Sequence, residues 1–262
     1  MEQQQIRFND GAAYEQMMGI WSRSVGEIFL DWLKPAKGLR WIDVGCGNGA
    51  FTELLASRCA PNEIQGVDPS EGQLAFARTR PGARLAHFQI GDAMALPFPP
   101  DRFDAAVMAL VIVFVPGPAK GLAEMVRVVR PGGIIATYMW DMMGGGFPLT
   151  PLIDEIRAMG LSPPRPPQPD ASRMEALRDL WSAAGLEAVE TREITVHRTF
   201  TGFEDYWSVS MKSPSLGPAI AALPAADAEN LKARLRTRLP EDKGGRITYS
   251  SRANAIKGRR PA

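Results

Sequence analysis

The chain has 262 residues, 45% of them hydrophobic, enough for a sizeable core in one α/β domain or one domain with a substantial insertion. A formal net charge of +1 offers no basic face for a polyanion and speaks against nucleic-acid binding. Two cysteines make no disulfide framework, no apolar run reaches membrane-spanning length, and the polar start Met1-Glu-Gln-Gln-Gln5 is not a signal peptide; the expectation is a soluble, cytoplasmic protein with reduced thiols.

Between residues 11 and 33, Tyr14, Met17, Met18, Trp21, Val25, Ile28, Phe29, Trp32 and Leu33 fall at helical spacing, and Pro35 and Gly38 close that helix. Next comes Arg40-Trp-Ile-Asp-Val-Gly-Cys-Gly-Asn-Gly-Ala-Phe-Thr-Glu-Leu-Leu55, around which the chain is organised. Trp41, Ile42 and Val44 read as a buried strand, Gly45, Gly47 and Gly49 as a turn, and Phe51, Leu54 and Leu55 as a helix. This is the first half of a βαβ unit that binds a nucleotide-like cofactor, because a ligand approaches the backbone closely only where no Cβ intervenes.

A second strand spans 63–68, and Ser70 with Gln73 forms a capping box for a helix ending near Pro81-Gly82. The third strand is expected at 83–90 and the fourth from 103 to about 114, its continuous apolar character fitting burial on both faces. Leu122, Met125, Val126 and Val129 mark a helix, Pro131-Gly132-Gly133 stops it, and 134–140 make a fifth strand. Repeated βα alternation means a parallel sheet with right-handed crossovers.

Residues 142–170 break that rhythm with Gly and Pro clusters around a short helix at 152–159, and are expected to form a lid with few buried contacts. A second capping box, Ser172-Arg-Met-Glu175, opens a helix closed by Gly185, and a long strand follows at 186–200. Residues 203–239 read as helical within an insertion at 201–245; 247–249 and 254–256 suggest a last edge strand, and 257–261 a basic, solvated tail.

Three features fall at the C-terminal ends of successive strands: Gly45-Cys46-Gly47, then Asp68, then Asp92-Ala93-Met94. Ligands of open α/β sheets bind along that rim. A carboxylate ending the second strand can accept from two ribose hydroxyls, and one on the next strand from an adenine amino group. The third glycine comes one place early for a dinucleotide fingerprint, and the Gly-Lys-Ser/Thr of a phosphate loop is absent.

The spacing Asp43-x-Gly45-x-Gly47-x-Gly49, with Val67-Asp68-Pro69-Ser70 and Gly91-Asp92-Ala93, resembles the class I S-adenosylmethionine-dependent methyltransferases. Leu110-Val-Ile-Val-Phe-Val-Pro116 and Glu124-Met-Val-Arg-Val-Val-Arg-Pro-Gly-Gly133 are similar to the same family, and more narrowly to its type 11 group. The resemblance covers roughly residues 40 to 140. It implies a Rossmann-like, doubly wound α/β fold: a mostly parallel seven-stranded sheet with an antiparallel edge strand, capped by helices from the N-terminus and the late insertion. One domain would run over 1–262, with 1–39 covering the cofactor and 40–140 binding it.

Carried over residue by residue, the resemblance implies that Gly45, Cys46 and Gly47 line the methionine part of S-adenosylmethionine. Asp68 would hold the ribose hydroxyls, Pro69 would lie against the adenine, and Asp92 and Ala93 would contact that ring. Leu110 would sit beside the cofactor and Tyr14 would belong to its covering helix. Asp43 would organise the glycine turn. Tyr138, Trp140 and Trp207 are candidate residues for a small, partly apolar acceptor. His87 and His197 read as structural, no catalytic base is assigned, and no metal-ligand spacing is visible. Val113-Phe114 stands where many relatives carry a His-His or His-Trp pair, which makes the pocket more apolar. Two alternatives remain at this point: an NAD-dependent oxidoreductase, and a methyltransferase-like protein that binds the cofactor without turnover.

Overall fold

The computed structural model describes residues 10–262. Helix α1 (Gly11–Leu33) starts at Asp10, whose carboxylate accepts from the amides of Ala12 and Ala13, and buries the expected stripe from Met17 to Leu33. The repeating units follow as β1 (Arg40–Val44), α2 (Ala50–Cys59), β2 (Glu63–Asp68), α3 (Glu71–Thr79), β3 (Ala86–Ile90), β4 (Phe103–Ala109), α4 (Pro118–Val128) and β5 (Val129–Trp140). Beyond them lie α5 (Thr150–Ala158), α6 (Met174–Ala183), β6 (Glu187–Phe200), α7 (Phe203–Ser210), α8 (Leu216–Ala221), α9 (Ala225–Arg238) and β7 (Ile247–Arg259). Cys46 and Cys59 are free thiols, and no helix among the described residues is long and apolar enough to cross a membrane.

The seven strands form one sheet in the order β3-β2-β1-β4-β5-β7-β6. β1 to β5 run parallel, while β7 is antiparallel to both β5 and β6. The connections run outward one way from β1 through β2 to β3 and the other way from β4 to β5. That reversal puts a crevice over the C-terminal ends of β1 and β4, where open α/β sheets bind ligands. β1 and β4 are buried on both faces because helices cover each side, hence their unbroken apolar runs.

Several expectations are corrected. The third strand begins only at Ala86, since Pro81–Ala83 is a single 3-10 turn. The fourth ends at Ala109: Leu110 turns the chain with φ 62°, and Ile112–Phe114 is a buried 3-10 turn that looks like more strand in sequence. β5 starts at Val129, and the Pro-Gly-Gly run lies in an irregular stretch of it, where its register with β4 shifts. Neither capping box closes. Ser70 caps α3 with its hydroxyl, but its own amide donates to Asp68; Ser172 donates to the carbonyl of Pro169 and leaves α6 without a side-chain cap.

The C-terminal strand, expected at an edge, is threaded between β5 and β6, and its basic end is tied down. Lys257 pairs with Glu190 and lies over Trp32, and Arg260 bonds the carbonyls of Val126 and Val129. The segment read as a lid is not poor in buried contacts: Leu149, Leu152 and Ile156 are buried. Glu155 of α5 also accepts from Arg234 and Arg238 of α9 at 2.8 and 3.1 Å. His87 and His197 are exposed, so neither is a satisfied core residue.

Candidate functional site

The glycine turn leaves β1 through Gly45, with φ 74°, and Gly47, with φ 51°, both left-handed conformations that only glycine adopts cheaply. The amides of Gly45 and Cys46 both donate to the carbonyl of Val67, tying the turn to β2. Asp68 finishes β2 and spans the crevice. One oxygen accepts from the Gly47 amide at 2.9 Å and the other from the Ser70 amide at 2.9 Å. One carboxylate therefore fixes both the turn and the start of α3. It is 9% exposed, and burial raises its pKa while the amides of Ser70 and Gly47 oppose that rise.

Asp43 does not organise the turn as expected. It is fully buried and accepts from the Thr52 hydroxyl at 2.6 Å, joining β1 to α2. Burial pushes its pKa up to about 7, with the Thr52 hydroxyl opposing and the charge of Asp68 adding to the rise.

A cleft of about 530 Å3 opens over this rim. Every residue expected at the cofactor lines it: Tyr14, Gly45, Cys46, Gly47, Asp68, Pro69, Asp92, Ala93 and Leu110. Tyr138 does too, packed 4.6 Å from the Phe29 ring. Leu110 holds its left-handed backbone by donating its amide to the carbonyl of Tyr138 at 2.8 Å. Burial keeps the Cys46 thiol and the Tyr138 phenol well above their usual pKa values, so both are protonated near neutrality.

A dinucleotide would rest its pyrophosphate on the N-terminus of α2. Here Asn48 accepts from the Ala50 amide and donates to the Gly11 carbonyl and to Glu15, so α1 and a carboxylate cover that helix end. Gly49 is the N-cap of α2, and a Cβ there would meet Ala77 at 2.9 Å. The third glycine serves helix packing rather than a phosphate. The cleft wall brings the Asp68 carboxylate together with Pro69, Asp92 and Ala93.

A family model described as a methyltransferase domain matches residues 42–137. That segment, and not the whole chain, matches the methyltransferase-domain family. The demethylmenaquinone methyltransferase of Symbiobacterium thermophilum is 41% identical over 97 residues, 35% of this chain and 39% of that protein. The O-methyltransferase cnsE of Penicillium expansum is 31% identical over 168 residues, 62% of this chain and 57% of that protein. The chain thus spans well under two thirds of these relatives. The crystal structure of YcgJ from Bacillus subtilis has the same fold, with a TM-score of 0.62 at 17% identity, over 91% of this chain and 98% of that one.

Within the matched segment, Gln73 went unnoticed as a site residue because its spacing from Ser70 reads as capping. Its side chain instead points into the cleft, 3% exposed, with neither amide atom partnered and its oxygen 3.9 Å from where a Cβ on Gly47 would stand. A buried amide with no protein partner is costly, so Gln73 fits a site completed by a polar ligand. Arg23, an exposed cation at the mouth beside Ser22, was also missed, since it interrupts an apolar stripe and reads as surface. Phe51, Leu54, Val111 and Phe114 supply apolar wall. Trp140 and Trp207 do not line the cleft: Trp140 is packed edge-on against Trp21, and Trp207 stacks on Phe203 under Lys232.

Gly45 is the sharpest steric test of the turn. A Cβ there would stand 2.5 Å from a Val111 methyl, on a backbone at φ 74°. Gly45→Ala is expected to destabilise the fold by about 1–3 kcal/mol and to displace Val111 from the cleft wall. Chemical denaturation of Gly45→Ala against Gly45→Ala with Val111→Ala checks this. The second change should recover part of the loss, and equal stability of the two variants would refute the contact.

Proposed function

We propose that this chain binds S-adenosylmethionine in the rim cleft and transfers its methyl group to a small, partly apolar acceptor. The observation that carries this is the gathering of the glycine turn, Asp68 and Asp92 on one cleft whose helix end is closed to a pyrophosphate. The domain match and the methyltransferase relatives support it. Asp68 would accept from the ribose hydroxyls, Gln73 would bond the ribose side, and Asp92 with Ala93 would meet the adenine. Arg23 offers the mouth of the cleft a cation for the methionine carboxylate.

Bound there, S-adenosylmethionine supplies a methyl group on a sulfonium that leaves as a neutral thioether. Its methyl carbon would be open to the acceptor's lone pair, with the carbon–sulfur pair going to sulfur. The protein's share is alignment and exclusion of water, by Tyr14 from above and Leu110, Val111 and Phe114 from the side. No carboxylate or histidine among the described residues lines the cleft away from Asp68 and Asp92.

Isothermal titration with S-adenosylmethionine and with NAD tests the binding step, and methyl transfer to a panel of quinols, phenols and small amines tests turnover. Saturable binding of S-adenosylmethionine, no heat with NAD, and a roughly 10-fold or greater weakening in Gln73→Ala are expected, the last from one or two lost hydrogen bonds. NAD binding in preference would overturn the assignment.

A further inference from the structure

Arg198 is the only lysine or arginine among the described residues that is buried, at 9% exposure. It projects from β6 on the face covered by α1. Its guanidinium lies 4.5 Å over the Phe200 ring, and Nη1 donates to the Met17 carbonyl of α1 at 3.0 Å. Nothing else bonds it, and no carboxylate forms an ion pair with it. Burial lowers its pKa, while the charge of Asp205 works the other way. The Asp205 carboxylate, though, is taken up by the amide and hydroxyl of Thr201. A buried cation without an ion-pair partner is costly, and one carbonyl satisfies one of its five N–H groups.

Other unmet polar atoms lie close by. Tyr249 stands opposite Arg198 in the β6–β7 register, and Ser251, two residues on and on the same face, has a buried hydroxyl with no partner. The Tyr206 hydroxyl of α7, whose ring is 5.1 Å from Phe200, and the Trp140 indole N–H of β5 are also buried and unpartnered. Trp21 joins the group, its ring 6.4 Å from both Trp140 and Tyr249. This cluster adjoins the cofactor cleft, since Ser22 and Tyr138, which line it, neighbour Trp21 on α1 and Trp140 on β5. A second cavity of about 260 Å3 opens along the same seam, between Ala13 and Tyr14 of α1 and Met211 to Pro214 after α7. It lies one helical turn from Met17 and shares Tyr14 with the cleft.

We propose that the methyl acceptor carries a carboxylate, held side-on by the free Nε and Nη2 edge of Arg198 beneath α1, with its aromatic or apolar body directed towards the cleft at Ser22 and Tyr138. The free edge is a two-pronged fork that matches a planar carboxylate. With a single buried cation whose charge Asp205 already offsets in part, the site suits one negative charge at most, which favours a carboxylate over a phosphate dianion. The identification rests on the methyl-transfer reading for the word acceptor; the anion site does not.

The test uses benzoate, 4-hydroxybenzoate and 2-naphthoate, each beside its neutral amide, titrated into the full chain with and without S-adenosylhomocysteine. Tryptophan fluorescence reports the binding, since Trp21 adjoins Ser22 of the cleft and packs against Tyr249, which stands opposite Arg198. At least one acid should bind saturably and about 10-fold or more tighter than its amide. Arg198→Met should remove that preference, and Arg198→Lys, which keeps the charge but loses the fork, should retain part of it. S-adenosylhomocysteine affinity should stay unchanged in both variants.

The proposal is overturned if no acid saturates by about 20 mM, if acid and amide bind alike, or if Arg198→Met keeps the preference. Should Arg198→Met fail to fold, the acid-to-amide ratio of the unaltered protein still decides. Failure of S-adenosylhomocysteine to bind while the acids do would sink the function and leave the anion site standing.

Discussion

Asp68→Ala is expected to weaken S-adenosylmethionine binding by about 30- to 1,000-fold, or about 2–4 kcal/mol, through loss of two charge-assisted hydrogen bonds in a half-shielded cleft. Sequence alone suggests that the fold would barely notice, since a carboxylate has no apolar packing to lose. The structure changes that expectation. Asp68 accepts from the amides of Gly47 and Ser70, both of which the substitution leaves without their partner. A stability loss of about 1–3 kcal/mol should accompany the affinity loss.

Asp68→Asn should fall between, because one amide oxygen can serve one backbone donor while its NH2 confronts the other. Affinity is to be measured by titration well below the melting temperature and stability by urea unfolding of the same preparation. Wild-type affinity together with lowered stability would mean that Asp68 only braces the turn. Protonation should act in the same direction as the mutation. Burial raises the Asp68 pKa, so cofactor affinity should begin to fall on acidification above the usual carboxylate range.

Asp43→Asn is expected to stabilise the protein at neutral pH and above, by an amount that vanishes in acid. Burial lifts the Asp43 pKa from 3.8 to about 7 in the folded chain. A carboxylic acid with a raised folded pKa favours the fold while it holds its proton. That contribution is complete below the unfolded value near 3.8 and is lost as pH rises through the folded value near 7. A shift of about three units corresponds to about 4 kcal/mol. Asparagine keeps the acceptor for the Thr52 hydroxyl and carries no charge. The gap between variant and wild type should be near zero at pH 4, grow through pH 5 to 7, and level off above. Urea unfolding across that range measures it. The difference between the two proteins is the quantity to follow, because Asp104, Glu63, Glu124 and Glu155 have lowered pKa values and stabilise in the opposite sense as pH rises. A gap that does not change with pH would show that Asp43 is already ionised at little cost.

The sequence by itself determined the parallel half of this protein and the strand-end residues of its cleft. Strands buried on both faces announce themselves as unbroken apolar runs, and the rim residues follow each strand directly, so local order places Gly45, Asp68 and Asp92 together. Tertiary structure alone decided the rest, because it depends on partners far apart in the chain. Whether β7 lies inside the sheet or at its edge is settled by pairing with β5 and β6, not by its own alternation. Gln73 looks like a cap until Asp68 takes the Ser70 amide and frees its side chain for the cleft. Arg198 looks like any strand arginine until α1, 181 residues away in sequence, folds over it and withdraws its charge from water. Local pattern records burial and turn chemistry; which polar atoms are left unpaired is a property of the packed whole.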